Sequence, residues 1–349
     1  MLRQKIYLTI VCAFALAACA NHRPIPGIAQ PGGNEPEVMG PAIPETHVDQ
    51  STVPSDAYGP VVPPPGTITS ATETATATAT AISPVPPSSA EPAKLCLVLG
   101  PGMAKAMAEA AVLEAIRKAK IPVHCVVGTE MGAIVGALYA FSNGSTNNLQ
   151  WQLFKLSKDN YFAFPMLSLH EPKSSGQKLH EYLHGLFHDT QIDRLPVKFA
   201  TNAVDEETDA GIEFDHGLLS DALSASAAVP GIFDPWKIGG NSYRSAASAD
   251  PVPVELARKL GGNFIVMVDV LVDGGAPAKS RYHRAFTGAR SVIKLQKKEA
   301  AFVIQVNTGN IAFDDFGRRG DILAAGTAAA EKAMPELKAA WDKWSASQR

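Results

Sequence analysis

Val127-Gly128-Thr129-Glu130-Met131-Gly132 is the stretch on which the reading of this chain turns. It has the frame of a G-x-S-x-G nucleophile elbow, a tight strand-to-helix turn that exposes its middle side chain beside a helix N-terminus. Glutamate stands where such an elbow carries serine. An ester hydrolase needs a hydroxyl or thiol at that point, and a carboxylate is a poor replacement.

Working outward, residues 123 to 127 read as a strand introduced by Pro122, and the elbow opens a helix through about Phe141. Upstream, Leu95-Cys96-Leu97-Val98-Leu99 is a continuous apolar run, as expected for a parallel strand covered on both faces. A Gly-containing turn and an alanine-rich helix to about Lys118 follow, with Ala108, Val112, Leu113 and Ile116 toward the core. This strand–helix–strand–helix order predicts an α/β layered domain with a right-handed crossover. Further strands are expected at residues 197–204, 211–215, 264–270 and 302–306, and a helix over 220–228 stops at Pro230-Gly231. Leu337, Ala340, Trp341 and Trp344 recur at helical spacing, with Pro335 suited to that helix's first turn.

The N-terminal residues have a different character. Arg3 and Lys5 precede an apolar run over residues 6–18, too short to span a bilayer comfortably. Leu16-Ala17-Ala18-Cys19 resembles the lipobox of bacterial lipoproteins, which implies a signal peptide over 1–18 and an acylated Cys19. Ala20 after the cysteine points to the outer membrane, facing the periplasm. Residues 20–93 hold 15 of the chain's 26 prolines and a Thr/Ala run over 72–81, too few apolar groups to offset the entropy of ordering. The segment 19–93 therefore reads as a lipid anchor and disordered linker with a reach of ~50 Å. Residues 94–349 are left as one domain large enough for its own core. A net charge of −3 and the absence of a basic stripe exclude nucleic acid as a partner. Cys96 and Cys125, inside apolar runs, read as buried free thiols in preference to a disulfide.

With these residues in place the chain resembles the patatin-like phospholipases. The resemblance rests on Leu97-Val98-Leu99-Gly100, on residues 128–137, on Ala225-Ser226-Ala227-Ala228-Val229-Pro230-Gly231-Ile232-Phe233, and on Asp250-Pro251-Val252-Pro253-Val254. It implies a three-layer α/β sandwich with a mostly parallel central sheet, and acyl-ester hydrolysis by a serine–aspartate dyad. The family's three functional parts are all altered. Its glycine-rich oxyanion loop corresponds to Gly100, Pro101, Gly102, Met103, Ala104 and Lys105. Pro101 has no N–H, the methionine and alanine add bulk, and lysine lacks arginine's planar fork, so a poor oxyanion hole is expected. The nucleophile position is Glu130. The dyad-acid position, normally in a D-G-G or D-G-A turn, is Ser245 within Ser245-Ala246-Ala247; Asp250 belongs to the following block. A Glu130–Lys105 contact is expected to occupy the former site.

Two other constellations compete. His180-Glu181-Tyr182-Leu183-His184 matches H-E-x-x-H, a zinc-binding pattern on a helix, and His188 continues the spacing. Gly185 breaks the longer metalloprotease pattern, and a solvated histidine row is the expectation. The apolar run over residues 161–169 reads as core or as a lid beside the site. Asp205-Glu206-Glu207-Thr208-Asp209 reads as a solvated hairpin turn.

The function expected from sequence is thus a membrane-anchored, catalytically inactive acyl-hydrolase homologue that calls for no cofactor. A lipid or acyl ligand in the altered pocket and an envelope protein are the two binding roles open to it. The alternatives are an active lipid acyl hydrolase with a non-family nucleophile arrangement, including Ser245 attacking with Glu130 as base, and a zinc peptidase through His180 and His184.

Overall fold

The computed structural model describes residues 91–164, 172–272 and 280–348. The signal peptide, Cys19, the linker to residue 90 and the end of the aromatic run at 165–169 lie outside them.

The chain folds around a mixed, mostly parallel sheet in the order β5-β6-β3-β2-β1-β7-β8, with β4 paired to β3 off this path. Its strands are β1 (Leu95–Leu99), β2 (Val123–Gly128), β3 (Lys198–Asp205), β4 (Gly211–Phe214), β5 (Trp236–Ile238), β6 (Asn241–Ser245), β7 (Phe264–Asp269) and β8 (Phe302–Gln305). β1 pairs in parallel with β2 and β7, β2 with β3, and β7 with β8; the β3–β4, β3–β6 and β5–β6 pairs are antiparallel. Every residue of β1 and β7 is buried, which a strand achieves only when both faces of its sheet are covered.

The cover comes from α1 (Glu109–Lys118), α2 (Met131–Phe141), α3 (Thr146–Lys155), the one-turn α4 (Lys158–Tyr161), α5 (Gln177–Phe187), α6 (Leu219–Ala227), α7 (Val254–Lys259), α8 (Arg281–Gln296) and α9 (Arg319–Ser347). Alternation along the strands assigns two of the faces. Leu99 and Val126 meet α2, where a side chain at Gly136 would strike Val126 at 2.8 Å and touch Leu99 at 3.4 Å. Cys96 and Cys125 point the other way: a side chain at Gly262 would strike Cys96, and the Cys125 sulfur lies 3.7 Å from the Ala257 carbonyl oxygen of α7.

Two expectations are corrected. Cys96 and Cys125 are joined as a disulfide. The parallel register sets them directly opposite, Cα to Cα 4.6 Å apart, which is bridging range. Pro335 is not in the first turn of its helix but inside the 29-residue α9, at an exposed position. Ser245 is the last residue of β6. The acidic hairpin is as read: the Asp205 carboxylate accepts the N–H groups of Glu207 and Thr208 between β3 and β4.

Candidate functional site

Two glycines make the elbow. A Cβ on Gly128 would fall 2.5 Å from the Gly132 backbone, and one on Gly132 would fall 2.5 Å from the Gly100 carbonyl oxygen. Side chains there would drive α2 away from β1 and β2. The turn forces Glu130 to φ 59°, ψ −122°, a conformation sparsely populated by L-residues and costing on the order of 1–3 kcal/mol. The surrounding contacts hold it there. Glu130 N–H donates to the Ser226 hydroxyl at 3.0 Å, Thr201 hydroxyl donates to the Gly128 carbonyl at 2.8 Å, and Thr201 and Ser226 hydroxyls meet at 2.9 Å.

The Glu130 side chain is fully buried and turns back toward the loop after β1. Its Oε2 accepts the backbone N–H of Gly102 at 2.9 Å and of Met103 at 2.8 Å; its Oε1 accepts the Tyr161 hydroxyl at 2.6 Å. Two adjacent amides converging on one oxygen are the arrangement that stabilises an oxyanion. The loop expected to be poor thus still directs two amide donors to one oxygen. Pro101 lacks an N–H, but the donors are the next two residues, Gly102 and Met103, the latter at a positive φ of 48°.

The expected Glu130–Lys105 pair is also corrected. The Lys105 ammonium lies over the Phe313 ring, 4.9 Å from its centroid, and the ion pairs among the described residues include none between Lys105 and Glu130. Burial, with the Arg290 charge, holds the Lys105 pKa below its ordinary value.

Tyr161 is the residue that sequence reasoning missed. It sat in an apolar run and is separated from Glu130 by 31 residues. Its ring packs against Phe162, Phe233 and Phe316 at centroid distances of 4.9, 5.6 and 5.0 Å, closing the carboxylate off behind aromatic surface. Burial raises its phenol pKa well above the usual value, so it serves as a neutral donor.

Beneath the loop lies a second buried carboxyl. Glu109 Oε1 accepts Gly100 N–H at 2.8 Å, while Oε2 is buried without a hydrogen-bond partner. Burial pushes its pKa well up, and the nearby Glu130 and Asp269 charges add to the effect. Burial also raises Glu130, against the pull of Gly102, Tyr161, Met131 and Met103. With three donors Glu130 is better satisfied as a carboxylate than Glu109, which has one.

Ser245 is not brought into contact with Glu130. Its hydroxyl accepts Ala247 N–H at 3.2 Å, and its own N–H donates to the Ala228 carbonyl. Asp250 is held by Asn202 at 3.1 Å and Gln296 at 2.5 Å, and Asn202 in turn accepts the Thr129 hydroxyl at 2.7 Å. Asp250 thus braces the elbow from behind. His180 and His184 share a face of α5, with ring centroids 6.1 Å apart. His180 is no solvated side chain: it stacks on Trp236 at 4.4 Å and meets the Ser224 hydroxyl at 3.1 Å, and burial lowers its pKa.

A family model described as patatin-like phospholipase matches residues 97–276. An uncharacterized NTE family protein of Mycobacterium tuberculosis is 23% identical over 192 residues, covering 53% of this chain and 51% of the relative. Patatin-like phospholipase domain-containing protein 6 of Homo sapiens is 27% identical over 181 residues, covering 50% of this chain and 13% of the relative. The chain therefore spans about half the length of the mycobacterial relatives and a far smaller share of the mammalian ones. Among solved structures, VipD of Legionella pneumophila aligns with a TM-score of 0.45 at 10% identity, covering 70% of this chain and 67% of that one.

Proposed function

Because this chain belongs to the patatin-like phospholipase family, we propose that it is a member that has exchanged ester hydrolysis for binding. The observation that carries this reading is the Glu130 carboxylate on the Gly102 and Met103 amides. The side chain at the elbow, which should attack an acyl carbon, instead occupies the anion position that the tetrahedral intermediate needs. It lacks a transferable hydroxyl, and its burial leaves no room for substrate at the same atoms. Ser245 at the family's dyad-acid position offers no carboxylate to act as base. The zinc-peptidase alternative is not favoured by a histidine pair whose first member is engaged by Trp236 and Ser224.

The Leu16-to-Cys19 lipobox pattern extends the proposal to a lipoprotein, anchored through acylated Cys19 in the bacterial envelope, outer membrane, periplasmic side. There it would bind a lipid or acyl group, or a protein partner. Purified full-length protein should show no labelling by a fluorophosphonate probe, read by in-gel fluorescence. Strong labelling that is lost in Ser245→Ala would overturn the reading. Palmitate incorporation in cells, abolished by Cys19→Ala, is the expected result for the anchor; unchanged incorporation would remove it.

A further inference from the structure

Residues 141–158 contain two lysines and no acidic residue. They include α3, which packs on α1 and α2 with Leu149 and Leu153 buried. On its outer side Trp151 and Phe154, one turn apart, are 56% and 58% exposed, and their rings stack 6.1 Å apart and 6° from parallel. A cation lies over each ring. The Lys155 ammonium is 5.2 Å from the Trp151 ring centroid, and the Arg319 guanidinium, at the start of α9, is 4.9 Å from that of Phe154. Neither cation has an ion-pair partner among the described residues. Of the acidic side chains on the flanking elements, Glu114, Asp314 and Asp321 each hold a cation of their own: Arg117, Lys158 and Arg318.

We propose that the outer side of α3 is a docking surface for a bilayer that carries anionic phospholipid. Exposed rings with cations beside them match the boundary between headgroups and acyl chains, where apolar bodies enter and positive charge meets lipid phosphate. The acid-free stretch supplies the complementary charge, and no carboxylate of α3 itself opposes the approach. Area argues against a second copy of the chain as the occupant. Two rings, each a little over half exposed, offer on the order of 250 Å², against about 800 Å² per partner in a stable protein interface. A bilayer sets no such minimum, because shallow insertion of two rings is already a complete contact. That contact is weak by itself, and a tether to the same membrane would raise its occupancy through effective concentration. The surface rests on neither Glu130 nor the acylation of Cys19.

The test uses full-length protein with vesicles of phosphatidylcholine alone or with phosphatidylglycerol, both made with brominated acyl chains that quench tryptophan fluorescence on contact. An acylated Cys19 would attach the protein equally to the two compositions, so the difference between them reads α3 and not the anchor. The other three tryptophans are buried or half-buried, which leaves Trp151 as the exposed reporter. Quenching should be stronger with phosphatidylglycerol and fall as salt is added. Trp151→Phe, which keeps a ring but removes the reporter, should lose the excess. Lys155→Glu combined with Arg319→Glu should cut it about tenfold or more, and Lys155→Arg should keep it. The proposal is overturned if quenching is indifferent to phosphatidylglycerol or persists in Trp151→Phe. It is equally overturned if sedimentation velocity without lipid shows self-association that Trp151→Ala abolishes, which would assign this face to a second copy of the chain.

Discussion

The Glu130 carboxylate lies where, on the proposed function, a substrate oxyanion would sit. In an acyl hydrolase the two amides at the loop would stay unpaired until an oxyanion formed between them. Here one carboxylate oxygen lies between them, 2.8 and 2.9 Å from its donors. Each such donor is worth about 3 kcal/mol to a transition state, so the amides retain catalytic value if the carboxylate is taken away. That leads to a prediction at this scale. Glu130→Ser combined with Ser245→Asp should hydrolyse p-nitrophenyl butyrate at least about tenfold faster than either single variant. A double variant no faster than Glu130→Ser would mean that amides able to hold a carboxylate cannot hold an ester's oxyanion. Tyr161 enters the same balance. Its hydroxyl would lose its acceptor in Glu130→Ser, and a gain that appears only once Tyr161 is also made Phe would assign the remaining defect to it.

Among the elements, the β1–β2 pair carries the site, since the loop leaves one strand and the elbow leaves the other. The Cys96–Cys125 bridge ties these two strands covalently across a sequence separation of 29 residues. Closing a loop of that size removes unfolded-chain entropy worth about 3–4 kcal/mol. Replacing both cysteines with alanine should lower stability in urea by roughly that amount, and adding reductant should lower the wild type but not the variant. Equal stability with and without reductant would show that the bridge does not form. The sequence disclosed these strands readily, because continuous apolar runs and the glycines at 128 and 132 leave few alternatives. It did not disclose the bridge, which depends on a register that no local pattern encodes. The helices α3 and α8 were missed for a related reason: their exposed faces are rich in amides and cations, and the apolar stripe that marks a helix is thin. Tyr161 was legible only as apolar bulk. Its hydroxyl acquires a meaning when the chain brings Glu130 to it, and nothing in the spacing of the two residues says so.

For the molecule as a whole, net charge is a weak source of pH dependence: at −3 over 349 residues, general repulsion is small. Buried carboxyls are the stronger source. Glu109 is raised well above its ordinary value of 4.5 by burial and by its acidic neighbours, and Asp250 is raised by burial as well. A carboxyl whose folded pKa exceeds its unfolded one binds more protons in the native state. Stability then falls as pH rises from 4.5 through the folded pKa, and the contribution is fully present only below that range. Glu109→Gln isolates the effect, because the amide oxygen can still accept Gly100 N–H while the side chain no longer ionises. Urea midpoints measured from about pH 5 to about pH 9 should decline for the wild type and decline less for Glu109→Gln. The two curves should lie closest at the acidic end and separate toward the alkaline end, with the variant the more stable there. Parallel curves would show that burial of Glu109 is not the source of the decline.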